Sequence, residues 1–125
     1  LTVTDPCGLS ACDSVSVFVG NVNSGPTVEL GPAITINEGD CIRLTPAVND
    51  PDGDPLTYTW TSTVAGLSDP AAANPLFTAP YIDVCEGVDA VITLTVTDPC
   101  GLSATDSLYV HIANVNQPPI VQADP

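Results

Sequence analysis

The chain has 125 residues and carries 15 acidic side chains against one base, Arg43, for a formal charge of −14 with His111 neutral. That balance lacks the clustered Lys and Arg that nucleic acid or an anionic membrane requires, and it favours cations as partners. Lys and Met are absent, which removes isopeptide cross-links, catalytic Schiff bases and P-loop lysines, while 44% hydrophobic residues and a mean hydropathy of +0.28 argue against disorder.

In chain order, residues 1–20 read as a hairpin around the turn Asp5-Pro6-Cys7-Gly8. Strands are then predicted at Thr27–Ile36, broken at Gly31-Pro32, and at Cys41–Pro46, Leu56–Ser62, Pro75–Thr78, Ala90–Thr97 and Asp106–Ala113. The period is two throughout, with large residues on one face and threonines on the other, as in Leu56-Thr57-Tyr58-Thr59-Trp60-Thr61 and Ile92-Thr93-Leu94-Thr95-Val96-Thr97. Threonine suits the outer face because its branched Cβ fits a pleated surface while its hydroxyl stays wet. Leu108, Val110 and Ile112 are expected inside and Tyr109 and His111 outside, with Trp60 as the core anchor and Tyr58 sharing its parity. Short strands divided by Pro, Gly and Asp turns describe an all-β, antiparallel sandwich.

The chain repeats itself. Residues 1–23, LTVTDPCGLSACDSVSVFVGNVN, return as residues 94–116, LTVTDPCGLSATDSLYVHIANVN, with 17 of 23 positions identical at an offset of 93. Chance does not produce this, and the pattern reads as a window from a tandem array cut out of phase with its domain boundaries. Residues 1–23 are then the C-terminal hairpin and linker of a preceding repeat, 24–113 one complete sandwich, and 114–125 a linker and the start of the next repeat. A lone hairpin is marginal in water, so residues 1–20 must pair with an upstream repeat, another chain or this chain's own sheet.

Asn37-Glu38-Gly39-Asp40, the run from Asn49 through Asp50-Pro51-Asp52-Gly53-Asp54-Pro55 to Trp60, Phe77-Thr78-Ala79-Pro80 and Leu94-Thr95-Val96-Thr97-Asp98 resemble the PKD-type (polycystic-kidney-disease) repeat and its bacterial cadherin-like cousins. The resemblance spans the whole period and implies an immunoglobulin-like β-sandwich used in tandem on cell surfaces and in secreted proteins. Where cadherin linkers carry acidic runs, the junctions here read Asn21-Val22-Asn23 and Asn114-Val115-Asn116.

Asp50, Asp52 and Asp54 alternate around Gly53 in one tight loop, where three carboxylates repel unless solvated or neutralised by a cation, and hard oxygen ligands suit Ca²⁺. Asp98 and Asp106 are expected at the same end and complete the candidate calcium set. Glu38, Asp40, Asp83, Glu86 and Asp89 are expected at the opposite end, beside Asn114–Asn116, as a second, interdomain set. Asp, Pro and Gly are also plain turn formers.

Five cysteines in a small acidic chain fit an oxidising, extracellular setting. Cys41 and Cys85 fall at one end of the sandwich and form the expected intradomain disulfide; Cys7 and Cys12 could pair across the first hairpin turn. Thr105 stands where the second copy would carry Cys12, so Cys100 is left unpaired or pairs between chains. His111 aligns with Phe18, which marks a tolerant surface position. With no G-x-S-x-G, no H-E-x-x-H and a single His, the chain is not expected to be an enzyme.

These features point to a structural module of a long extracellular fibre, stalk or surface layer. Neighbouring repeats or identical chains would be its partners, joined by β-strand complementation and stiffened by calcium and disulfides. The alternative is an adhesin or carbohydrate-binding accessory module of a larger secreted protein.

Overall fold

The structure, a computed structural model, describes residues 1–116. The expected start of a further repeat, from residue 117 to residue 125, lies outside the described residues. Ten strands follow in chain order: β1 (Thr2–Thr4), β2 (Ser10–Cys12), β3 (Thr27–Glu29), β4 (Ile34–Asn37), β5 (Cys41–Arg43), β6 (Ala47–Asn49), β7 (Thr57–Ser62), β8 (Leu76–Thr78), β9 (Val88–Thr97) and β10 (Ser103–Ala113). Among the described residues no helix is long and apolar enough to cross a membrane.

Alternation decides which faces are buried. Ala90, Ile92, Leu94 and Val96 of β9 are buried, as are Leu108, Val110 and Ile112 of β10, while Tyr109 between them is exposed. β9 and β10 form a long antiparallel hairpin, Ser103 opposite Thr97 and Ile112 opposite Val88. It is the centre of a four-stranded sheet ordered β4-β10-β9-β7, with β4 parallel to β10. The pairs β3–β6 and β5–β8, both antiparallel, supply the other layer. Leu44, Phe77 and Ala79 from that side meet Trp60 and the β9–β10 row in one core, with Val28, Leu30, Ile42 and Val48 packed against it. The Trp60 indole N–H donates to the Ala72 carbonyl at 2.8 Å, so the largest core side chain buries without an orphaned donor.

The predicted break at Gly31-Pro32 is real, and it has a purpose. Gly31 adopts φ +85°, and the chain uses the kink to change layers, β3 pairing with β6 and β4 with β10. β6 itself escaped the sequence reading. Pro46 has no N–H and ends the β5 ladder after Leu44 donates to Pro75 O, and three residues are too short to show a period. β10 also starts earlier than expected, at Ser103.

The first copy folds only in part. β1 and β2 pair in the register of the second copy: Thr4 opposite Ser10 matches Thr97 opposite Ser103, and Thr2 opposite Cys12 matches Thr95 opposite Thr105. The turns agree as well, since Asp5 N donates to Leu9 O at 2.8 Å and Asp98 N to Leu102 O at 2.9 Å. Gly8 and Gly101 take φ of +88° and +94°, which a side chain would resist. Asp13 still exchanges backbone hydrogen bonds with Leu1, as expected from the pairing of Asp106 with Leu94; beyond it the likeness stops, and residues 13–26 belong to no strand. In the second copy, residues 107–112 pair with 88–93, a segment that has no counterpart within residues 1–23. The expected hairpin over 1–20 is therefore limited to 1–13.

Candidate metal centre and linker contacts

The loop before β7 folds back on Asp50. Its Oδ1 accepts the amides of Asp52 at 2.9 Å and Asp54 at 3.4 Å, and Gly53 N donates to Asp50 O at 3.1 Å. Gly53 supplies the positive φ, +73°, that the turn requires. The result brings one carboxylate oxygen from each of Asp50, Asp52 and Asp54 within 4.8 Å of one another. Oxygens bound to one Ca²⁺ at about 2.4 Å are separated by no more than about 5 Å, so the spacing is compatible. Two buried oxygens at this end of the molecule, Asp50 Oδ2 and Asn23 Oδ1, have no hydrogen-bond partner. A buried acceptor without a donor is costly, and a hard cation satisfies it. Asp50, Asp52 and Asp54 are thus the residues that would hold a hard cation, supplying three of the roughly six to eight oxygens that Ca²⁺ takes.

Electrostatics agree. Burial, then the charges of Asp50, Asp52 and Asp98, raise the Asp54 pKa. Asp98 is 5% exposed. Burial, the largest single influence, pushes it up. Hydrogen bonds from Asn23 and from the amides of Leu102, Cys100 and Gly101 together outweigh that, and its pKa ends below the ordinary value. Nothing basic is at hand: Arg43 donates instead to Asn74 O, and His111 Nδ1 is hydrogen-bonded to Asp89 Oδ1 at 2.6 Å.

Asp106 is a correction. It lies opposite Leu94, three rungs down β10 from the turn, and accepts Leu30 N at 2.7 Å. It secures the β3–β4 segment to the sheet and is not part of the loop cluster. The set at the other end does not converge either. Glu38 accepts Ile82 N at 2.8 Å and Val115 N at 3.0 Å, Asp40 accepts Asn37 N, and Asp89 faces His111. Asp83 and Glu86 are exposed side chains of the Ile82–Gly87 segment.

All five cysteines are free and exposed. Cys7 sits in the turn, whereas Cys12 faces Thr2, two rungs beyond Ser10. Neither thiol is bonded. Cys41 opens β5 opposite Thr78, Cys85 lies in the turn before β9, and both thiols are free. Cys100 Sγ lies 3.8 Å from Asn21 Nδ2.

Residues that the sequence reading left out anchor the linkers. Asn23 Nδ2 donates to Asp98 Oδ2 at 2.6 Å and Ser24 N to Asp52 Oδ2 at 2.6 Å, so the incoming linker touches the carboxylate end directly. At the exit, Asn114 and Val115 bind Ile82, Val84 and Glu38. The repeated Asn-Val-Asn was the signal available for these contacts.

No family model and no curated protein match the chain. Among solved structures it is similar to a nucleoside hydrolase-related hypothetical protein from Saccharophagus degradans that is associated with carbohydrate metabolism, with TM-score 0.62 and 21% identity over 72% of this chain. The chain spans only 26% of that protein. It is also similar to the PKD domain from KIAA 1837 protein, with TM-score 0.56 and 20% identity, over 82% of this chain and 100% of that domain. The fold is thus an immunoglobulin-like sandwich of the PKD type.

Proposed function

We propose that residues 24–113 are one period of a tandem array of PKD-like sandwiches, and that the array is a structural element of an extracellular fibre, stalk or surface layer. One observation carries this reading. Val15, Val17 and Val19 are 85%, 74% and 85% exposed, while Leu108, Val110 and Ile112 at the matching positions are 6%, 1% and 0% exposed. A sequence that forms the heart of a sheet in one copy stands bare in the other, which is the surface a missing sandwich would cover. The acceptor is the remainder of a preceding period, supplied by the same chain upstream or by a neighbouring chain through strand addition. The exterior suits a spacer, being acidic, free of Lys and rich in threonine. Calcium at Asp50, Asp52 and Asp54 would neutralise the end at which one period meets the next.

The test is a two-period chain in which residues 24–93 precede Leu1, so that Thr93 runs into Leu1 as it runs into Leu94 in the second copy. The expected result is a second sandwich, with the amides of residues 14–19 gaining hydrogen-exchange protection equal to that of residues 107–112. Amides at 14–19 that exchange as freely as in the 125-residue chain refute the tandem reading.

A further inference from the structure

The two copies of the linker share the sequence Asn-Val-Asn but grip opposite ends of the sandwich. In the incoming copy the held positions are the third and fourth: the Asn23 side chain on Asp98 and the Ser24 amide on Asp52. In the outgoing copy they are the first and second. Asn114 Nδ2 donates to the carbonyls of Ile82 at 3.2 Å and Val84 at 3.4 Å, and Val115 N donates to Glu38 Oε1 at 3.0 Å. The donors used on the two sides do not compete. Their one overlap is Asn21 Nδ2, whose contact in this chain is the long 3.8 Å approach to the Cys100 thiol, a weaker acceptor than a carbonyl.

We infer that Asn-Val-Asn is a two-sided clamp that locks consecutive sandwiches into one rigid body, the exit end of one copy binding the first two residues and the entry end of the next binding the third residue and the serine after it. Asn21 and Val22 would be held by an upstream Glu38, Ile82 and Val84, as Asn114 and Val115 are held here. Only the Val22 φ and ψ and the Asn23 φ then lie between the last amide gripped upstream and the Cα of the first residue gripped downstream. No residue without a contact is left to act as a hinge, unlike a polar linker of several unbound residues. Glu38 is the pivotal group upstream, because its second oxygen accepts Ile82 N at 2.8 Å and so fixes the segment that presents the two carbonyls. Without a cation the acidic ends repel when face to face, since Asp50, Asp52, Asp54 and Asp98 on one side meet Glu38, Asp40, Asp83 and Glu86 on the other. The linker itself must set the angle between the periods.

This inference rests on the tandem reading, and the same two-period chain separates the two. Residual dipolar couplings in a weakly aligning medium give an alignment tensor for each sandwich. The expected result is one shared tensor, lost when the upstream Glu38 is changed to Ala or when Asn21 and Asn23 are both changed to Ala. The double variant removes no apolar core side chain, at the cost of one donor to Asp98, and serves if Glu38→Ala unfolds the upstream period. Two folded sandwiches with independent tensors in the unaltered chain overturn the clamp and leave the tandem reading standing. A shared tensor that survives the Asn21→Ala, Asn23→Ala variant also overturns it. If residues 14–19 stay unprotected, no upstream sandwich has formed, and both ideas fall.

Discussion

Changing Val110 and Val17 to Ala, one at a time, puts the same chemical edit at equivalent positions of two nearly identical sequences. Val110 is 1% exposed and Val17 is 74% exposed. Removing two methyl groups from a buried site forfeits about 1.6 kcal/mol of transfer free energy at about 0.8 kcal/mol per group. The cavity left behind Val110, lined by a β9–β10 interior that cannot fully collapse, brings the expected loss to about 2–3 kcal/mol. For a domain of this size that corresponds to a melting temperature lower by about 8–20 °C. Val17→Ala should stay within about 0.5 kcal/mol, as for other surface changes. Trp60, 2% exposed in the same core, reports the transition by fluorescence. Extending the chain with residues 24–93 ahead of Leu1 should then give Val17→Ala the cost of Val110→Ala. Equal losses at both sites in the 125-residue chain would refute the burial contrast. A Val17→Ala that remains silent in the two-period chain would refute the claim that an upstream sandwich covers it.

Asp54→Asn should raise the melting temperature in EDTA at neutral pH by relieving repulsion with Asp50, Asp52 and Asp98, and should shrink the stabilisation added by millimolar Ca²⁺; an unchanged calcium shift would remove Asp54 from the site. In EDTA the two perturbed carboxyls should act on stability in opposite directions. Asp54, raised in the folded state, opposes folding while ionised and ceases to do so as pH falls through its raised value. Asp98, lowered, contributes stability that is complete above the ordinary carboxylate range and is lost as pH falls through its lowered value. Melts between about pH 3 and 7 should therefore lose their upper rise in Asp54→Asn and part of their acid fall in Asp98→Asn, and curves parallel to the parent's would contradict the assignment. A thiol-alkylating reagent without denaturant or reductant should add five groups to the chain, one at each free cysteine, and mass spectrometry showing three or fewer would restore a disulfide.

The sandwich was legible because burial follows a period of two, and Trp60, the β9–β10 rows and the Gly31-Pro32 break all announce themselves locally. The site was legible only where it is local too. Asp50, Asp52 and Asp54 converge through hydrogen bonds spanning two to four residues, which a turn motif encodes. Asp106 was misplaced because its partner, the Leu30 amide, is 76 positions away, and a backbone amide carries no side-chain signal of what it will bind. The Cys7–Cys12 pairing failed for a related reason, since proximity in sequence says nothing about which rung of a ladder a residue occupies. Glu38 reads in the sequence as a ligand of the interdomain calcium set, whereas each of its oxygens accepts a distant amide.

The parallel pairing of β4 with β10 has a mechanical consequence. The chain enters this sandwich at the Asp98 end and leaves at the Glu38 end, and Ile34–Asn37 lies alongside Val110–Ala113 in four consecutive register pairs. When an array is pulled lengthwise, tension draws the start of β4 one way and the end of β10 the other. The bonds between them are therefore loaded in shear, all together, and cannot be peeled apart one by one. The load reaches this seam through β3, whose pairing with β6 ties the entry to the other layer, so in a pulled array the two layers share the resistance.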